Sequence, residues 1–452
     1  MITDTIIAQC TPTGPGALAL LRVSGPQAID IVTQCAKLSS KKTVNTVATH
    51  TIHHGWVIDQ NGAHLDEVMF LVMHGPKTFT GQHVVEITAH NNQFIIEALL
   101  ERVIICGARL AQAGEFSRQA VESGKLDLIR AEAINELIHA NSQQLLKQSL
   151  QQLEGSFSQW IGALEIRLLK LVALCEASFE FIEEEVDFSS QTKTAVAVIL
   201  DDITTIKKSF DQQQQLRQGI RIALIGAVNA GKSSLFNLLI GKKRAIVTSI
   251  AGTTRDVIEA GLYKNGTYWT LIDTAGLRKA KDSIEREGIE RSLNEAKTAD
   301  IVILVLDGSR NATQQENEAY RLILSDYENK VIAIKNKSDQ PQKENRFFKA
   351  ALSTSTQTEN GIKELELLLE KKIQECFTLN SSPFLLNKRH FTTLVNFEQK
   401  LFTVQAMLLG QIEYELVAHH LKDALETLTE LTGKTVSEKA LDTVFKEFCV
   451  GK

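Results

Sequence analysis

A glycine-rich segment near the middle of the chain has the residue types and spacing of a loop that holds phosphate. Residues 226–233 read Gly-Ala-Val-Asn-Ala-Gly-Lys-Ser and follow the apolar run 221–225, so the pattern G-x-x-x-x-G-K-[ST] stands in a strand–loop–helix setting. Backbone N–H groups in such a loop turn toward phosphate oxygens, and the following helix begins there with its positive dipole end. We expect Lys232 to neutralise the β- and γ-phosphates and the Ser233 hydroxyl to ligate Mg²⁺. The alternative is a glycine-rich start of a helix without a ligand, which the full pattern disfavours.

Two segments downstream offer further groups that a nucleotide hydrolase needs. Residues 252–256 read Gly-Thr-Thr-Arg-Asp, and Thr254 is a candidate second ligand of Mg²⁺. A hydrophobic run then ends in residues 273–276, which read Asp-Thr-Ala-Gly. Asp273 can hold the shell of the Mg²⁺ ion, and the N–H of Gly276 can sense the γ-phosphate.

A later segment predicts which base is bound. The apolar run 331–334 leads into residues 336–339, which read Asn-Lys-Ser-Asp. A carboxylate at Asp339 can accept both N1–H and N2–H of guanine, whereas adenine would leave it unpaired, and sites built on such hydrogen bonds discriminate strongly. Four residues alone are a weak match, but their place after the other motifs favours guanine over adenine.

The sequence lacks the usual group that orients the attacking water. Leu277 stands where Ras-type switches carry a glutamine. Water must therefore be positioned by another residue, and the acidic candidates downstream are Asp282, Glu285 and Glu287. Taken singly, each of these is more simply a surface carboxylate.

The elements that must position these groups can be read from hydrophobic periods. Residues 220–376 alternate strand and helix, as in a doubly wound α/β domain. The N-terminal part reads as α/β with short strands and a hairpin turn at residues 59–62, Asp-Gln-Asn-Gly, because Asn-Gly accepts the positive φ of such turns. Apolar residues from Leu146 to Ile182 recur at steps of three or four, which predicts one helix of about 40 residues. The helical residues after 378 are too few for a core of their own, so we expect them to pack on the earlier helices.

Composition bounds the class of protein. The 452 residues carry a formal charge of −5 with 43% hydrophobic residues, which fits a folded chain and not one that coats nucleic acid by bulk charge. Six cysteines without paired spacing indicate a reducing compartment, and no apolar stretch approaches the roughly 20 residues of a membrane span. Without a signal peptide, we expect a cytoplasmic protein with no membrane insertion. The expected fold class is multidomain, α/β plus all-α, with the segments 1–120, 121–215, 216–378 and 379–452.

Longer stretches of the chain resemble one family. Residues 245–256, the pair Leu277-Arg278 and the terminal Phe-Cys-Val-Gly-Lys of 448–452 resemble the MnmE (TrmE) family of tRNA-modification GTPases. The resemblance covers the whole chain, since it includes these N-terminal blocks: 20–26, 114–117 and 124–128.

The resemblance implies both an architecture and a reaction. Residues 1–120 would be a tetrahydrofolate-binding domain that dimerises, 121–215 and 379–452 a split helical domain, and 216–378 an inserted Ras-like P-loop GTPase domain. With a flavin-dependent MnmG-type partner, such a protein forms the 5-carboxymethylaminomethyl group on the wobble uridine of certain tRNAs. A 5-formyl- or methylene-tetrahydrofolate supplies the carbon, and the implied assembly is a homodimer that joins its partner in a heterotetramer.

The family's GTP contacts carry over to the phosphate loop, the switch after it, the aspartate motif and the base motifs. The implied GTP-binding residues are Asn229, Ala230, Gly231, Lys232, Ser233, Ser234, Thr248, Ser249, Ile250, Ala251, Gly252, Thr253, Thr254, Asp273, Thr274, Ala275, Gly276, Asn336, Lys337, Asp339, Ser353 and Thr354. A potassium ion would replace an arginine finger, and its implied ligands are Asn229, Thr248, Ile250 and Thr253. Glu285 falls at the family's position for the carboxylate that orients water.

The resemblance also assigns residues outside the GTPase domain. The implied folate contacts are Arg22, Glu86, Lys125 and Lys452. Cations there suit the glutamate tail of a folate, and Glu86 suits the donors of its pterin ring. Cys449 is the candidate for tRNA chemistry. The alternative is a small buried cysteine, and nothing in the sequence shows that this thiol is activated.

The chain departs from the family pattern at four places. It has Gly81-Gln82-His83 where members carry Gly-Glu-Asp, and His90-Asn91-Asn92 where they carry His-Gly-Gly. Val228 replaces the usual proline of the phosphate loop, and Ser353-Thr354 replaces Ser-Ala near the base.

Two alternatives stay open at this stage. The protein could be a ribosome-assembly or regulatory GTPase switch without modification chemistry, or its N-terminal domain could be only a dimerisation scaffold. The GTPase motifs do not separate these readings, whereas the folate-like blocks and the Cys-Val-Gly-Lys end favour the enzyme.

Overall fold

A computed structural model describes most of the chain. The described residues are 4–178, 188–208, 210, 219–241, 258–264, 267–273, 293–343, 352–378, 383–409 and 412–451. They fall into two compact units, of which the first is Met1–Ile138, Ser149–Asp201 and Thr392–Lys452 and the second is His139–Gln148 and Asp202–Phe391. The boundaries 1–120, 121–215, 216–378 and 379–452 stay predictions.

Strands and helices follow one another along the chain. The strands are β1 (Ile6–Gln9), β2 (Leu18–Gly25), β3 (Ala36–Leu38), β4 (Thr51–Ile58), β5 (His64–Met73), β6 (His83–His90), β7 (Arg109–Leu110), β8 (Ile220–Gly226), β9 (Ile258–Lys264), β10 (Thr267–Asp273), β11 (Ile301–Asp307), β12 (Val331–Asn336) and β13 (Leu352–Ser353). The helices are α1 (Ala28–Thr33), α2 (Gln93–Ile105), α3 (Glu115–Glu122), α4 (Leu128–His139), α5 (Gln143–Leu153), α6 (Ser156–Ala177), α7 (Phe188–Lys207), α8 (Lys232–Gly241), α9 (Gln314–Asp326), α10 (Ile362–Thr378), α11 (Lys388–Met407), α12 (Tyr414–Thr432) and α13 (Glu438–Phe445). Short 3₁₀ turns lie at Val44–Thr46 and Glu328–Lys330.

The first unit contains a seven-stranded sheet in the order β3-β4-β5-β6-β2-β1-β7. Its core holds alternate residues of the strands and the apolar sides of α1 and α2, with Phe70, Ile87 and Leu99 fully buried. Strands whose side chains alternate in this way bury one face and leave the other to polar groups and ligands. The opposite face is covered in part, because β1 also packs against Phe116 of α3 in a second buried cluster.

The predicted hairpin at residues 59–62 is confirmed. It joins β4 to β5, which pair antiparallel, and the N–H of Asp59 donates to the carbonyl of Ala63 at 2.9 Å. Gly62 has φ 85°, and the Asp59 carboxylate accepts the N–H of Asn61 at 2.8 Å. An aspartate that caps its own turn and a glycine in the left-handed region are the reasons this sequence turns here.

The expectation of one helix of about 40 residues from Leu146 is wrong. The chain breaks between α5 and α6, where Gly155 has φ 107°. The carbonyl of Leu153, at the end of α5, accepts the Nε–H of Arg130 from α4 at 2.8 Å instead of continuing a helical ladder. Glycine has a low helix propensity, so little stability is lost when the chain leaves the helix at this point. One tertiary hydrogen bond is then enough to end α5.

The C-terminal helices pack on the earlier ones, as expected from their length. α12 lies along α6 in the first unit. The pair is joined by ion pairs from Lys434 to Glu165 at 2.6 Å and from Lys422 to Glu176 at 2.7 Å. Leu421 and Leu428 of α12 are fully buried, so this contact supplies the core that the tail lacks by itself.

The second unit is doubly wound α/β, as predicted. Its six-stranded sheet has the order β13-β12-β11-β8-β10-β9, with only β9 antiparallel to its neighbour. One core cluster includes residues of α8 and α10 with the sheet, and a second includes residues of α9. Parallel strands end at the same edge, so the carboxyl ends of β8, β10, β11 and β12 meet there, and this edge is where α/β sheets bind ligands.

Candidate functional site

The phosphate-loop pattern joins β8 to α8, and its two glycines have steric causes. A Cβ on Gly226 would lie 2.2 Å from the carbonyl oxygen of Val305 in β11. Gly231 has φ 98°, and a Cβ there would lie 2.1 Å from Nδ2 of Asn336. Asn229 also adopts a left-handed conformation, with φ 61°. The backbone of the loop thus packs directly against β11 and the base motif. A side chain at either glycine would prevent this close approach.

Lys232 is the first residue of α8 and is buried with its charge inside the loop. Its ammonium donates to the carbonyls of Gly226 and Ala227, each at 2.8 Å. Ser233 and Ser234 are exposed in the first turn of the helix. The ammonium, the exposed hydroxyls and the helix N-terminus together form the arrangement that binds phosphate and a divalent cation.

Asn336 ties the base motif to the phosphate loop. Its side chain is fully buried, and its Nδ2 donates to the carbonyl of Ala230 at 2.8 Å. Thr354 donates to the Asn336 carbonyl oxygen at 3.4 Å. Residues far apart in sequence, 230, 336 and 354, therefore form one rigid corner of the site.

Asp339 receives a hydrogen bond from a residue that the sequence analysis missed. The Ser355 hydroxyl donates to Oδ1 of Asp339 at 2.5 Å, and Ser355 is fully buried. The Ser338 N–H donates to the Thr354 carbonyl at 2.9 Å, which holds the two loops together. The signal for Ser355 was its place directly after Ser353-Thr354, but its role depends on a contact across 16 residues.

Tyr320 of α9 also contacts the phosphate loop. The N–H of Ala227 donates to its hydroxyl at 3.0 Å. Burial raises the pKa of Tyr320 to about 12, so the phenol is neutral at physiological pH. No sequence motif points to Tyr320, because a tyrosine within an amphipathic helix normally indicates only a packed core position.

Several predicted residues lie outside the described parts of the chain. They are Thr248, Ser249, Ile250, Ala251, Gly252, Thr253, Thr254, Thr274, Ala275, Gly276, Glu285 and Lys452. The backbone of Asp273 ends β10 opposite Leu224 of β8, so this residue belongs to the same carboxyl edge. Roles for all of these residues stay predictions.

In the first unit, Arg22 and Glu86 are brought together. They are direct partners across β2 and β6, and Nε and Nη2 of Arg22 each lie 2.8 Å from Oε1 of Glu86. The guanidinium carbon lies 5.8 Å from the ring centroid of Phe79 and 5.6 Å from that of Phe116. A guanidinium has five N–H donors, so an arginine that pairs with one carboxylate oxygen can still bind a second acid.

A buried polar network supports the loop before Glu86. The Ser24 hydroxyl lies 2.8 Å from Oγ1 of Thr80 and donates to Oε1 of Gln119 at 2.8 Å. A Cβ on Gly81 would lie 2.8 Å from Cβ of Ser123 and 3.3 Å from Cε of Lys125. Lys125 therefore lies beside the loop that leads to Glu86, which brings three of the four predicted folate residues to one region.

The C-terminal segment docks on the sheet of the same unit. The Gly114 N–H donates to the Cys449 carbonyl at 3.3 Å, and the Cys10 thiol donates to the Gly451 carbonyl at 3.1 Å. Gly451 has φ 95°, and a Cβ there would lie 2.6 Å from the Gln9 carbonyl. Cys449 is exposed, which excludes the alternative of a small buried cysteine, and its role in tRNA chemistry stays a prediction. Cys10 was not singled out, since its role arises only when the two chain ends meet.

Comparison with known proteins places the chain in a family. A family profile described as "GTP-binding protein TrmE N-terminus" matches residues 5–125, and one described as "MnmE helical domain" matches residues 128–449. A "tRNA modification GTPase MnmE" of Lachnoclostridium phytofermentans is 35% identical over 463 residues and covers 100% of both chains. The chain belongs to the MnmE (TrmE) family. A second MnmE, from Geobacillus thermodenitrificans, is 37% identical over 469 residues, with 99% of each chain covered.

Membership of the MnmE family confirms the resemblance and the expected fold class. Among solved structures, the G domain of the T. maritima FeoB iron transporter matches 35% of this chain and 98% of its own, at 30% identity and a TM-score of 0.26. The relatives are named tRNA modification GTPases, and the α/β edge described above is the candidate nucleotide site of this chain. Within the described residues, no helix is both long and apolar enough to cross a membrane.

Proposed function

We propose that this protein hydrolyses GTP to drive formation of the 5-carboxymethylaminomethyl group on the wobble uridine of certain tRNAs. The observation that carries the proposal is the corner formed by Ala230, Asn336 and Thr354, which joins a phosphate loop to a guanine motif in a chain of the MnmE family. In the same proposal the protein is a cytoplasmic homodimer that works with an MnmG-type, FAD-dependent partner in a heterotetramer.

Several of the predicted site residues divide the work of GTP hydrolysis. Lys232 and the N–H groups of the loop bind the β- and γ-phosphates, and Asp339 selects guanine. Ser233, Thr254 and Asp273 would hold Mg²⁺, which would neutralise negative charge on the phosphates. The exposed Ser233 hydroxyl in the first turn of α8 fits a hard cation that prefers oxygen ligands. Glu285 orients the attacking water.

A monovalent cation is proposed in place of an arginine finger. Its ligands would be Asn229, Thr248, Ile250 and Thr253, and the left-handed backbone of Asn229 turns this residue out of a regular helix or strand. The GTPase rate should rise roughly tenfold or more in K⁺ over Na⁺, because charge that develops on the phosphates still needs compensation. Stopped-flow rates at equal ionic strength in KCl and NaCl check this. Equal rates in the two salts would remove the cation from the mechanism.

Folate binding is proposed for the first unit. Arg22, Lys125 and Lys452 would bind the glutamate tail of 5-formyl- or methylene-tetrahydrofolate, and Glu86 would accept from the pterin donors. Phe79, which lies beside Arg22 and is exposed, suits contact with a flat aromatic ligand. Cys449, docked on the same unit, is the proposed residue for chemistry at the tRNA base.

The function is tested on tRNA from a deletion strain. Restoring this gene should restore the modified wobble uridine, which mass spectrometry detects. The Arg22→Ala gene should fail to restore it, because the glutamate tail of the folate loses its charged partner. In a titration with 5-formyltetrahydrofolate, Arg22→Ala should bind roughly tenfold more weakly than wild type, or weaker still. A decrease of this size corresponds to the loss of at least one charge-assisted hydrogen bond. Lys42→Ala, an exposed cation elsewhere in this unit, is the matched control. A silent folate titration with wild-type protein would favour a GTPase switch without modification chemistry.

A further inference from the structure

Asp307 ends β11 directly beside the base motif. It is the register partner of Asn336 in the parallel ladder of β11 and β12, and the Gly308 N–H donates to the Asn336 carbonyl at 2.9 Å. Only 5% of the Asp307 side chain is exposed. No sequence motif singled out this carboxylate, although it lies at the carboxyl edge where the site is built.

The Asp307 carboxylate holds the lysine of the base motif. The Lys337 ammonium donates to Oδ2 of Asp307 at 2.7 Å. Lys337 has φ 64°, a left-handed conformation that a residue with a side chain adopts only when its surroundings hold it there. The ion pair and the unusual backbone together fix where the long Lys337 side chain runs.

The carboxylate is itself firmly positioned. Its Oδ1 accepts the Ser309 N–H at 3.0 Å and the Ser309 hydroxyl at 2.7 Å. Arg310 lies 3.7 Å from Oδ2 and is held by an ion pair with Glu316 at 2.6 Å. Burial opposes the charge, but the hydrogen bonds from Lys337 and Ser309 outweigh it and lower the pKa of Asp307. Asp307 is therefore a fixed anion at neutral pH.

We propose that Asp307 is a positioning residue for guanosine, because it holds the Lys337 side chain extended so that its apolar stem forms a wall of the base site. A free lysine side chain has many rotamers, and one that an ion pair already holds loses less conformational entropy when a ligand packs on its stem. This inference rests on the proposed function, since it requires that Lys337 contacts the bound nucleotide.

The test compares Asp307→Ala, Lys337→Ala and the double variant by calorimetric titration of the full chain with GDP and GTP. Asp307→Ala should weaken binding roughly tenfold, the effect of releasing one partly buried charged hydrogen bond, while kcat at saturating GTP changes less than twofold. In the Lys337→Ala background, Asp307→Ala should add less than a twofold loss, because its effect passes through that lysine. Asp326→Asn, an exposed aspartate at the end of α9, is the control and should match wild type.

The outcomes separate this inference from the function on which it rests. If Lys337→Ala weakens GDP binding and Asp307→Ala does not, the inference is wrong and the base site stands. Losses that multiply in the double variant would also overturn it, since Asp307 would then act without Lys337. If Lys337→Ala binds GDP like wild type, the inference is also wrong, while guanine selection by Asp339 is decided separately by Asp339→Asn. Should Asp307→Ala not fold, Asp307→Asn keeps the shape of the side chain and serves in its place.

Discussion

Asp339→Asn is expected to turn a guanine-selective protein into one that prefers xanthine nucleotides. The carboxylate would accept two N–H groups of guanine, and each hydrogen bond to a charged acceptor contributes about 1.5–3 kcal/mol. An amide offers one acceptor and one donor, which matches xanthine, whose O2 replaces the exocyclic amine of guanine. GTP affinity should fall by roughly 10²-fold or more while XTP affinity rises.

Calorimetric titration with GTP, XTP and ATP measures this change. The Ser355 hydroxyl, 2.5 Å from Asp339, can donate to an amide oxygen as well as to a carboxylate, so the loop should keep its conformation in the variant. Asp326→Asn again controls for an added amide in the same unit. Wild-type selectivity for GTP in Asp339→Asn would contradict the assignment of the base site, and no preference of wild type for GTP over ATP would contradict the function.

Gly231→Ala should abolish tight GTP binding, because the methyl group meets two obstacles at once. Its Cβ would lie 2.1 Å from Nδ2 of Asn336, and the backbone has φ 98°. Asn336 is fully buried and holds Ala230, so it cannot move away without leaving polar groups unpaired. Backbone strain of about 1–3 kcal/mol together with that lost hydrogen bond predicts at least a roughly 10²-fold loss of affinity.

The matched control for this change is Gly241→Ala at the other end of α8, where no atom of the described part of the chain lies within 4 Å of the new Cβ. That variant should bind GTP like wild type and melt at an equal or slightly higher temperature, since alanine favours helix over glycine. Circular dichroism and calorimetry on both variants make the comparison. Equal GTP affinity in Gly231→Ala and wild type would show that the loop does not carry the nucleotide.

The parts that could be predicted from the sequence are those whose physics is local. A phosphate loop uses consecutive backbone groups, so the pattern of residues 226–233 alone predicts it. The hairpin at residues 59–62 depends on an Asn-Gly pair and its aspartate, all within one turn. The alternation of residues 220–376 predicts a doubly wound sheet because buried parallel strands need continuous apolar runs.

The parts that could not be predicted depend on partners distant in the chain. Arg130 decides where α5 ends, because it donates to the Leu153 carbonyl. In a continuous helix that carbonyl would accept a backbone N–H of the next turn. Tyr320 reads as a core residue until its hydroxyl is seen at Ala227. Cys10 has a role only because the last residues of the chain return to β1.

The amino-acid sequence by itself identified the family, the candidate nucleotide loop and the candidate guanine motif. Each is a pattern of neighbouring residues, so it can be recognised without the tertiary structure. Tertiary structure alone decided that Asn336 braces the loop, that Asp307 anchors Lys337 and that Arg22 faces Glu86. These pairs depend on strand register and close packing, which are fixed only when segments distant in the sequence pack against one another.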